Sequence, residues 1–492
     1  MLNASFAYKN MKKTIKFFLI LSPLLFVACA AISPPASQVS DQAASQWNSP
    51  LPEKTESPTS QLPHQGSLQA LSTWWQSMGD PLLVDLITSA QAVSPSVAAA
   101  VNRIQQARSA VVTTGAASVP MLNAAANTSR GVSQLNTPAA TSAQAGLLAS
   151  WEIDVWGGNK ASKNAALARL EGSQAGWHEA RVSVAAEVAN TYLSFRTCEL
   201  LVNVAKEDVT SRTETARLTG LLAQAGFTAP ANASLARASN AQSQSMLAMQ
   251  RTQCDLQVKA LVALTTLSEP QIRQKMAIGS VLIASSAMNN IVNLSVPKLP
   301  AQLLSQRPDV FSAQQDIAAA SGDVGSAQAA KYPRLGLNGS LGLASLRSGG
   351  ISTDGATWSI GPVSLTLPIF DGGQRAAAVD VANANYELAV ANYRSKVRGA
   401  VREVEEALLS LQSAADRLQN AAIATEGYSA AFVASEALFK SGLGSLSDLE
   451  DNRRTALAAK TALLNLERER SAAWVALYRA LGGGWSSTTK TL

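Results

Sequence analysis

Few side chains in this 492-residue chain are equipped for bond chemistry. There are two histidines and three cysteines, too few for a His-rich or Cys-rich metal site. His64 falls in a polar stretch and His178 stands alone in a helical pattern. No Ser-His-Asp constellation presents itself, so neither an enzyme nor a resident metal is expected. What remains are charges and thiols whose value depends on placement. Asp448, Glu450 and Asp451 lie one to two helical turns past Gly442. Several copies of such acids gathered at a narrow end would form a cation-attracting constriction, and crowding would resist full ionisation or hold a divalent cation. The plainer reading is that Asp448 favours the first turn of its own helix. Cys198 and Cys254 flank a turn at 226–230; counting back along two paired helices brings them within about one helical turn of each other. Two buried thiols are the expected state, with a disulfide as the alternative in an oxidising compartment.

The third cysteine sets that compartment. From Met11 the chain reads MKKTIKFFLILSPLLFVACA: a basic start at Lys12, Lys13 and Lys16, a short apolar run from Phe17 to Val27, then Ala28 and Cys29. This is the form of a secretory signal, too short for a membrane span. Residues 1–28 are therefore set apart, with Met11 as the expected start. Residues 31–67, rich in Pro, Ser, Gln and Ala, read as a flexible or extended tether. Past the first 30 residues no run of 18 apolar residues exists, so no membrane-spanning helix is expected. Charged residues make up 15% of the chain, and a net charge of +6 is spread among nearly balanced signs, which gives no footprint for nucleic acid.

The elements that would position the acids come in duplicate. Gly226 and Gly442 are 216 residues apart, as are Glu187-Val188 and Glu403-Val404, and Arg237 and Arg453; Pro120 and Pro333 are 213 apart. A sustained offset near 215 argues for tandem duplication. Each half reads as helix, two strands, long helix, tight turn, helix. In the second half the first helix is expected over 301–330. Leu335, Leu337, Leu341 and Leu343 then alternate with Gly336, Asn338, Ser340 and Gly342. Trp358, Ile360, Val363, Leu365, Leu367 and Ile369 follow at period two, with one slip at Gly361-Pro362. Alternation of apolar with small or polar residues suits a barrel strand between lipid and water, or else a small soluble sheet. Strands are expected at about 121–133, 143–155, 334–347 and 356–369.

From Gly373 to Phe439 no proline interrupts the chain. One rail of seven-residue steps carries Val390, Val397, Val404, Leu411 and Leu418; the other carries Tyr393, Ala400, Ala407, Ala414 and Ala421. This 3.5-residue seam predicts a left-handed supercoil, and such a stretch spans roughly 100 Å, so an elongated molecule is expected. Four strands per chain cannot close a barrel, and open edges are not tolerated in lipid. Several chains must therefore pool their strands. A trimer with twelve strands and twelve helices around a tunnel is the attractive solution, although composition establishes only that more than one chain is needed.

Several stretches carry a family resemblance: Trp74-Trp75 with Asp80-Pro81-Leu82; Ser150-Trp151-Glu152-Ile153-Asp154-Val155-Trp156-Gly157; Leu299-Pro300 through Arg307-Pro308-Asp309-Val310; Leu367-Pro368-Ile369-Phe370-Asp371-Gly372-Gly373; and Tyr478-Arg479-Ala480-Leu481-Gly482-Gly483-Gly484-Trp485. Together, over about 68–486, they resemble the TolC-like outer membrane factors, especially the OprM-like and NodT-type lipoprotein branch. Departures occur at 157–159, 324–327 and 256–269. Phe26-Val27-Ala28-Cys29 resembles a lipoprotein box, with Phe26 in place of the usual Leu, and implies a covalent lipid on Cys29 with Ala30 directing outer-membrane sorting.

The resemblance implies a mainly α fold: long helical hairpins forming a trimeric α-barrel, joined to a twelve-stranded β-barrel with four strands from each protomer. It implies an anchored segment at 29–67, repeats at 68–270 and 300–480, and an equatorial belt from 271–299 and 481–492. Asp448 and Asp451 match the family's periplasmic aperture acids. The tips Gly226, Phe227, Thr228 and Gly442, Leu443, Gly444 match the ends that meet a periplasmic adaptor protein. The implied partners are two further copies of the chain, that adaptor, an inner-membrane pump of the RND type and outer-membrane lipid. The implied activity is a passive, gated export path for drugs or small solutes. The alternatives are a same-fold channel for protein or peptide secretion and, in another class, a periplasm-spanning structural lipoprotein without a lumen.

Overall fold

The computed structural model describes residues 32–40, 47–49, 74–133, 136–277 and 307–485. In chain order the helices and strands are α1 (Trp74–Ser77), α2 (Pro81–Val93), α3 (Pro95–Ala116), β1 (Met121–Ser133), β2 (Asn136–Ile153), α4 (Gly158–Gln224), α5 (Pro230–Thr265), α6 (Glu269–Ala277), α7 (Pro308–Ala329), β3 (Arg334–Ser348), β4 (Ile351–Thr366), α8 (Gln374–Lys440) and α9 (Leu446–Ala480). A short 3₁₀ turn (Gly482–Gly484) follows. The duplication is written in these bounds. The starts of α3 and α7 (95 and 308) and of β1 and β3 (121 and 334) are 213 apart, whereas those of α4 and α8 (158 and 374) are 216 apart. The extra three residues therefore lie in the second strand-to-helix junction. Both junctions use an aspartate to cap the long helix. Asp154 accepts the Asn159 and Lys160 backbone N–H groups at 3.1 and 2.8 Å, and Asp371 accepts those of Gly373 and Arg375 at 3.0 and 3.2 Å.

The chain divides into two units. The first comprises residues 1–40, 104–173 and 312–393, and the second 41–103, 174–311 and 394–492. The first holds an antiparallel sheet in the order β1-β2-β3-β4. Its register sorts the side chains onto two faces. One face carries rows such as Ala124, Leu147, Leu341 and Trp358, and Leu122, Ala149, Gly339 and Ile360. The other carries Asn123, Leu148, Ser340 and Ser359, and Ala125, Gly146, Gly342 and Thr357. Gly146 and Gly342 stand opposite each other so closely that a Cβ on Gly146 would lie 2.5 Å from the Leu341 carbonyl oxygen. Only glycine permits that approach between the two central strands. The edges β1 and β4 pair with no other described strand.

Three elements depart clearly from their expected bounds. β2 begins at Asn136 rather than 143, and β4 spans Ile351–Thr366 rather than 356–369. Apart from Ile351 the added residues are small or polar. Ladder hydrogen bonds continue to the tight Gly349-Gly350 turn without any apolar alternation to reveal them. The slip expected at Gly361-Pro362 is a bulge opposite Leu337–Gly339. Helix α7 starts at Pro308, not 301, because the residue before a proline is steered away from helical geometry. The supposed tether is partly docked. Within the first unit, Ser33 exchanges bonds with the Gln328 side chain, and the Ala36 carbonyl accepts from Tyr386 at 2.9 Å. Within the second, the Asn48 and Ser49 backbones donate to Glu405 at 2.6 and 2.8 Å.

The apolar core of the second unit draws on α1 to α6, α8 and α9. Trp74 and Trp75 pack on Tyr478, with ring centroids 4.8 and 4.7 Å apart. The motif Arg307-Pro308-Asp309 is structural: buried Arg307 binds Asp309 and Glu403 at 2.8 and 2.9 Å and donates to the Ala480 carbonyl. The expected belt segments 271–299 and 481–492 lie mostly outside the described residues. Their described parts place Ile272, Met276, Leu481 and Trp485 in buried positions. The seam behaves as its spacing predicts. Val390, Val397, Val404, Leu411, Ala400, Ala407 and Ala414 are all buried, whereas Leu418 and the later positions are more open.

Candidate gate and docking tips

The two long hairpins end in the same backbone device. The Phe227 N–H donates to the Leu222 carbonyl at 2.8 Å and Gly226 N–H to Ala223 at 3.1 Å; Leu443 N–H donates to Leu438 at 2.9 Å and Gly442 N–H to Phe439 at 3.1 Å. Gly226 and Gly442 take φ of 79° and 77°. These are Schellman caps, in which glycine occupies a left-handed position that a Cβ would strain. In this motif the following apolar residue commonly folds back onto its helix. Here Phe227 and Leu443 are instead 81% and 80% exposed. Gly444 has a separate reason to be glycine, since its Cβ would lie 2.9 Å from the Phe439 nitrogen. Ser445 caps α9 by accepting the Asp448 N–H at 3.0 Å, whereas its counterpart Ala229 leaves the cap to Pro230 at the first helical position.

Asp448 and Asp451 both lie exposed near the start of α9. Asp451 contacts Arg454 at 3.1 Å with both side chains in water, a pairing that contributes little stability. Glu450 turns the other way. It binds Arg453 on its own helix and Arg212 on α4, and accepts from Ser239 on α5 at 3.0 Å. Arg453 is 1% exposed and donates to Ser211 and Thr215 on α4 at 3.1 and 2.9 Å. Its guanidinium also stands 5.4 Å from the Phe432 ring. Burial lowers the pKa of Arg453 despite the Glu450 charge. Asp208, paired with Arg212 at 2.8 Å, is raised by burial against the pull of that partner. Burial would also raise Glu436, yet bonds from Ser211 and Lys440 hold it below the usual carboxylate range. These polar ties join α9 and α8 to the first hairpin about two to four turns from the tips. Sequence reading missed them. The only signal was the pairing of Arg237 with Arg453 at the repeat offset, and Arg237 is exposed where Arg453 is buried.

One expectation is overturned inside the first hairpin. Cys198 and Cys254 are bonded to each other, with Cα atoms 5.5 Å apart, rather than being two free thiols. The helical turn count brought them together; the matching Cβ vectors of α4 and α5, which spacing does not reveal, let the sulfurs meet. Cys29 lies outside the described residues. Among the described residues no cluster of metal-ligating side chains occurs.

Comparison with known proteins yields consistent matches. A family model described as Outer membrane efflux protein matches residues 86–266 and 299–483. The chain is 30% identical over 439 residues to the pyoverdine export outer membrane protein OpmQ of Pseudomonas aeruginosa, covering 85% of this chain and 89% of that one. It is 28% identical over 443 residues to nodulation protein T of Rhizobium leguminosarum bv. viciae, covering 89% of each. A crystal structure of a membrane protein from Pseudomonas aeruginosa superposes with a TM-score of 0.79 at 26% identity, covering 92% of this chain and all of that one.

Proposed function

The chain belongs to the outer membrane efflux protein family, and from that premise we propose how its residues serve it. Membership makes it the channel component of an outer-membrane efflux or secretion system, a passive conduit and not an enzyme, working with an inner-membrane pump and a periplasmic adaptor. The finer reading is a homotrimer whose twelve pooled strands form one barrel. A single observation carries it. An amphipathic four-stranded sheet has two unpaired edges, and lipid tolerates neither an edge nor four strands alone. Trimer mobility on unheated gels, with heat-dependent collapse to monomer, tests the number.

Asp448 and Asp451 are the aperture acids, and the exposed tips at Phe227 and Leu443 are the adaptor contacts. Support comes from their exposure at the ends of the hairpins, where no packing demands a large apolar side chain at Phe227 or Leu443. Replacing both aspartates by alanine should raise single-channel conductance and weaken cation selectivity; unchanged currents in planar bilayers would remove the gate assignment. The cargo is small organic solute driven by an RND-type pump, which fits the pyoverdine export for which OpmQ is named. Retention of a fluorescent dye in a deletion strain stripped of related channels tests this.

Cys29 is the lipid anchor, and the docked N-terminal segment supports it. Ile32 lies 3.6 Å from where a Cβ on Gly157 would stand, at the β2–α4 junction. Three residues can span at most about 10 Å, so a lipid on Cys29 would lie within that reach of the β2–α4 junction. Cys29→Ser should abolish labelling by radioactive palmitate.

A further inference from the structure

We propose that Arg130 and Arg347 form a basic girdle that binds the phosphorylated disaccharide headgroup of the glycolipid in the outer leaflet. The inference rests on the sheet being the membrane-spanning part, and it begins from the register. On the apolar face the rows at the hairpin end run Ala126, Ala145, Leu343, Ala356; then Thr128, Ala143, Ser345, Asp354; then Arg130, Thr141, Arg347, Ser352. The strands carry five charged residues, Arg130, Glu152, Arg334, Arg347 and Asp354. Glu152 and Arg334 lie at the helix end on the polar face. At the hairpin end every charge therefore lies on the lipid side, and the neighbouring polar-face row Ser129, Ser142, Leu346, Thr353 has none. A role in selecting solutes inside the barrel would require the opposite arrangement.

Depth agrees with charge. From Leu335 to Leu343 the apolar rows cover eight residue steps, which at about 3.4 Å each and a tilt near 40° give roughly 21 Å of height. That approaches the ~25 Å apolar band of such barrels. Arg347 lies four residues further, about 10 Å beyond the last apolar row by the same arithmetic. Both arginines are exposed, and neither has an ion-pair or hydrogen-bond partner among the described residues. One strand separates them, so their backbones stand about 10 Å apart with the Thr141 hydroxyl between them. Two phosphates on one disaccharide can span that gap; a phospholipid offers a single phosphate. Arginine suits the task because its planar fork binds phosphate oxygens in pairs. Asp354 is the one opposing charge, a row closer to the bilayer, where it accepts from the Ser352 hydroxyl at 3.4 Å. It leaves the girdle net positive and directs the phosphates toward the outer row.

The full-length trimer in detergent, mixed with bis-phosphorylated lipid A and separated from free lipid, tests this directly. Wild type should retain lipid A about fivefold better than Arg130→Gln/Arg347→Gln, while Arg130→Lys/Arg347→Lys keeps most of the retention. Arg334→Gln, at the other end and on the other face, should retain as wild type does. Dephosphorylated lipid A should be retained weakly by every form. Equal retention by wild type and the double glutamine variant, or of the dephosphorylated lipid, would overturn the proposal. Equal retention of phosphatidylglycerol would also overturn it, because the site would then be a general anion collar. If the glutamine pair fails to assemble, wild type decides: retention that does not fall when salt is raised is equally fatal. Trimer mobility on unheated gels is scored in parallel, so failure of the barrel reading is distinguishable from failure of the girdle.

Discussion

The two hairpins share length, offset and tip geometry, yet are held by different chemistry. Helices α4 and α8 each run 67 residues, and α5 and α9 run 36 and 35. In the first hairpin a covalent bond joins Cys198 to Cys254. The corresponding positions in the second are Ala414 and Arg470, which can form no such bond. The second hairpin instead meets the first through Arg453, Glu450 and Glu436, a set of reversible polar contacts. It also carries the exposed acids. Duplication supplied two equal frames, and only the first of them carries a covalent bond between its own helices among the described residues. A covalent tie closes its helix pair permanently, whereas a charge network can be exchanged for water or for a partner's groups. The exposed acids Asp448 and Asp451 lie on the hairpin without the covalent bond.

The largest test removes the covalent tie. A disulfide closing a 56-residue separation restricts the unfolded chain by about 4 kcal/mol in the chain-entropy account. Cys198→Ser/Cys254→Ser should thus lower the midpoint of thermal unfolding and expose the first hairpin to protease. Conductance should not change, because the acids sit on the other hairpin. Loss of gating together with unchanged stability would reverse the comparison. Next comes Arg453→Ala, which leaves Glu450 half-compensated in a buried site and costs about 3 kcal/mol. Here conductance should rise as well, with an open-probability increase readable in bilayers. A stable variant with ordinary currents would show that the polar ties do not restrain the second hairpin.

These differences were unequally legible in the sequence. The seam at Val390, Val397 and Val404 announced itself because burial against a neighbouring helix demands apolar residues at fixed spacing. The tip glycines were equally plain, since a left-handed cap leaves few choices of residue. By contrast, Arg453 reads as one more surface arginine, and only the register between α9 and α4 brings Ser211 and Thr215 beneath it. The outer ends of β2 and β4 were invisible for the complementary reason: backbone pairing there needs no pattern in the side chains. The disulfide lay between these cases, its turn count legible but the direction of its Cβ vectors not. Asp448 and Asp451 were singled out by resemblance, and nothing in the helix around them would have distinguished them from solvated acids.

The smallest effect separates the halves by pH. His178 on α4 sits between Trp177 and Trp485, with ring centroids 4.8 and 6.4 Å away. Burial, with help from the Arg181 charge, lowers its pKa from 6.5 to about 4. Its counterpart at the repeat offset is the exposed Arg394. The sign follows from linkage. The unfolded chain binds a proton on His178 below about 6.5 while the folded chain does not until about 4, so stability is complete above 6.5 and falls as pH drops through that window. Allowing for partial solvent screening, the loss is on the order of 1–2 kcal/mol. His178→Phe should flatten the melting temperature between pH 6.5 and 4 relative to wild type, a window set by the two pKa values. Arg394→Gln should leave the slope as it is. If both variants keep the wild-type slope, the acid sensitivity belongs to other groups, first among them carboxylates held below their usual range, such as Glu436 with its bonds from Ser211 and Lys440.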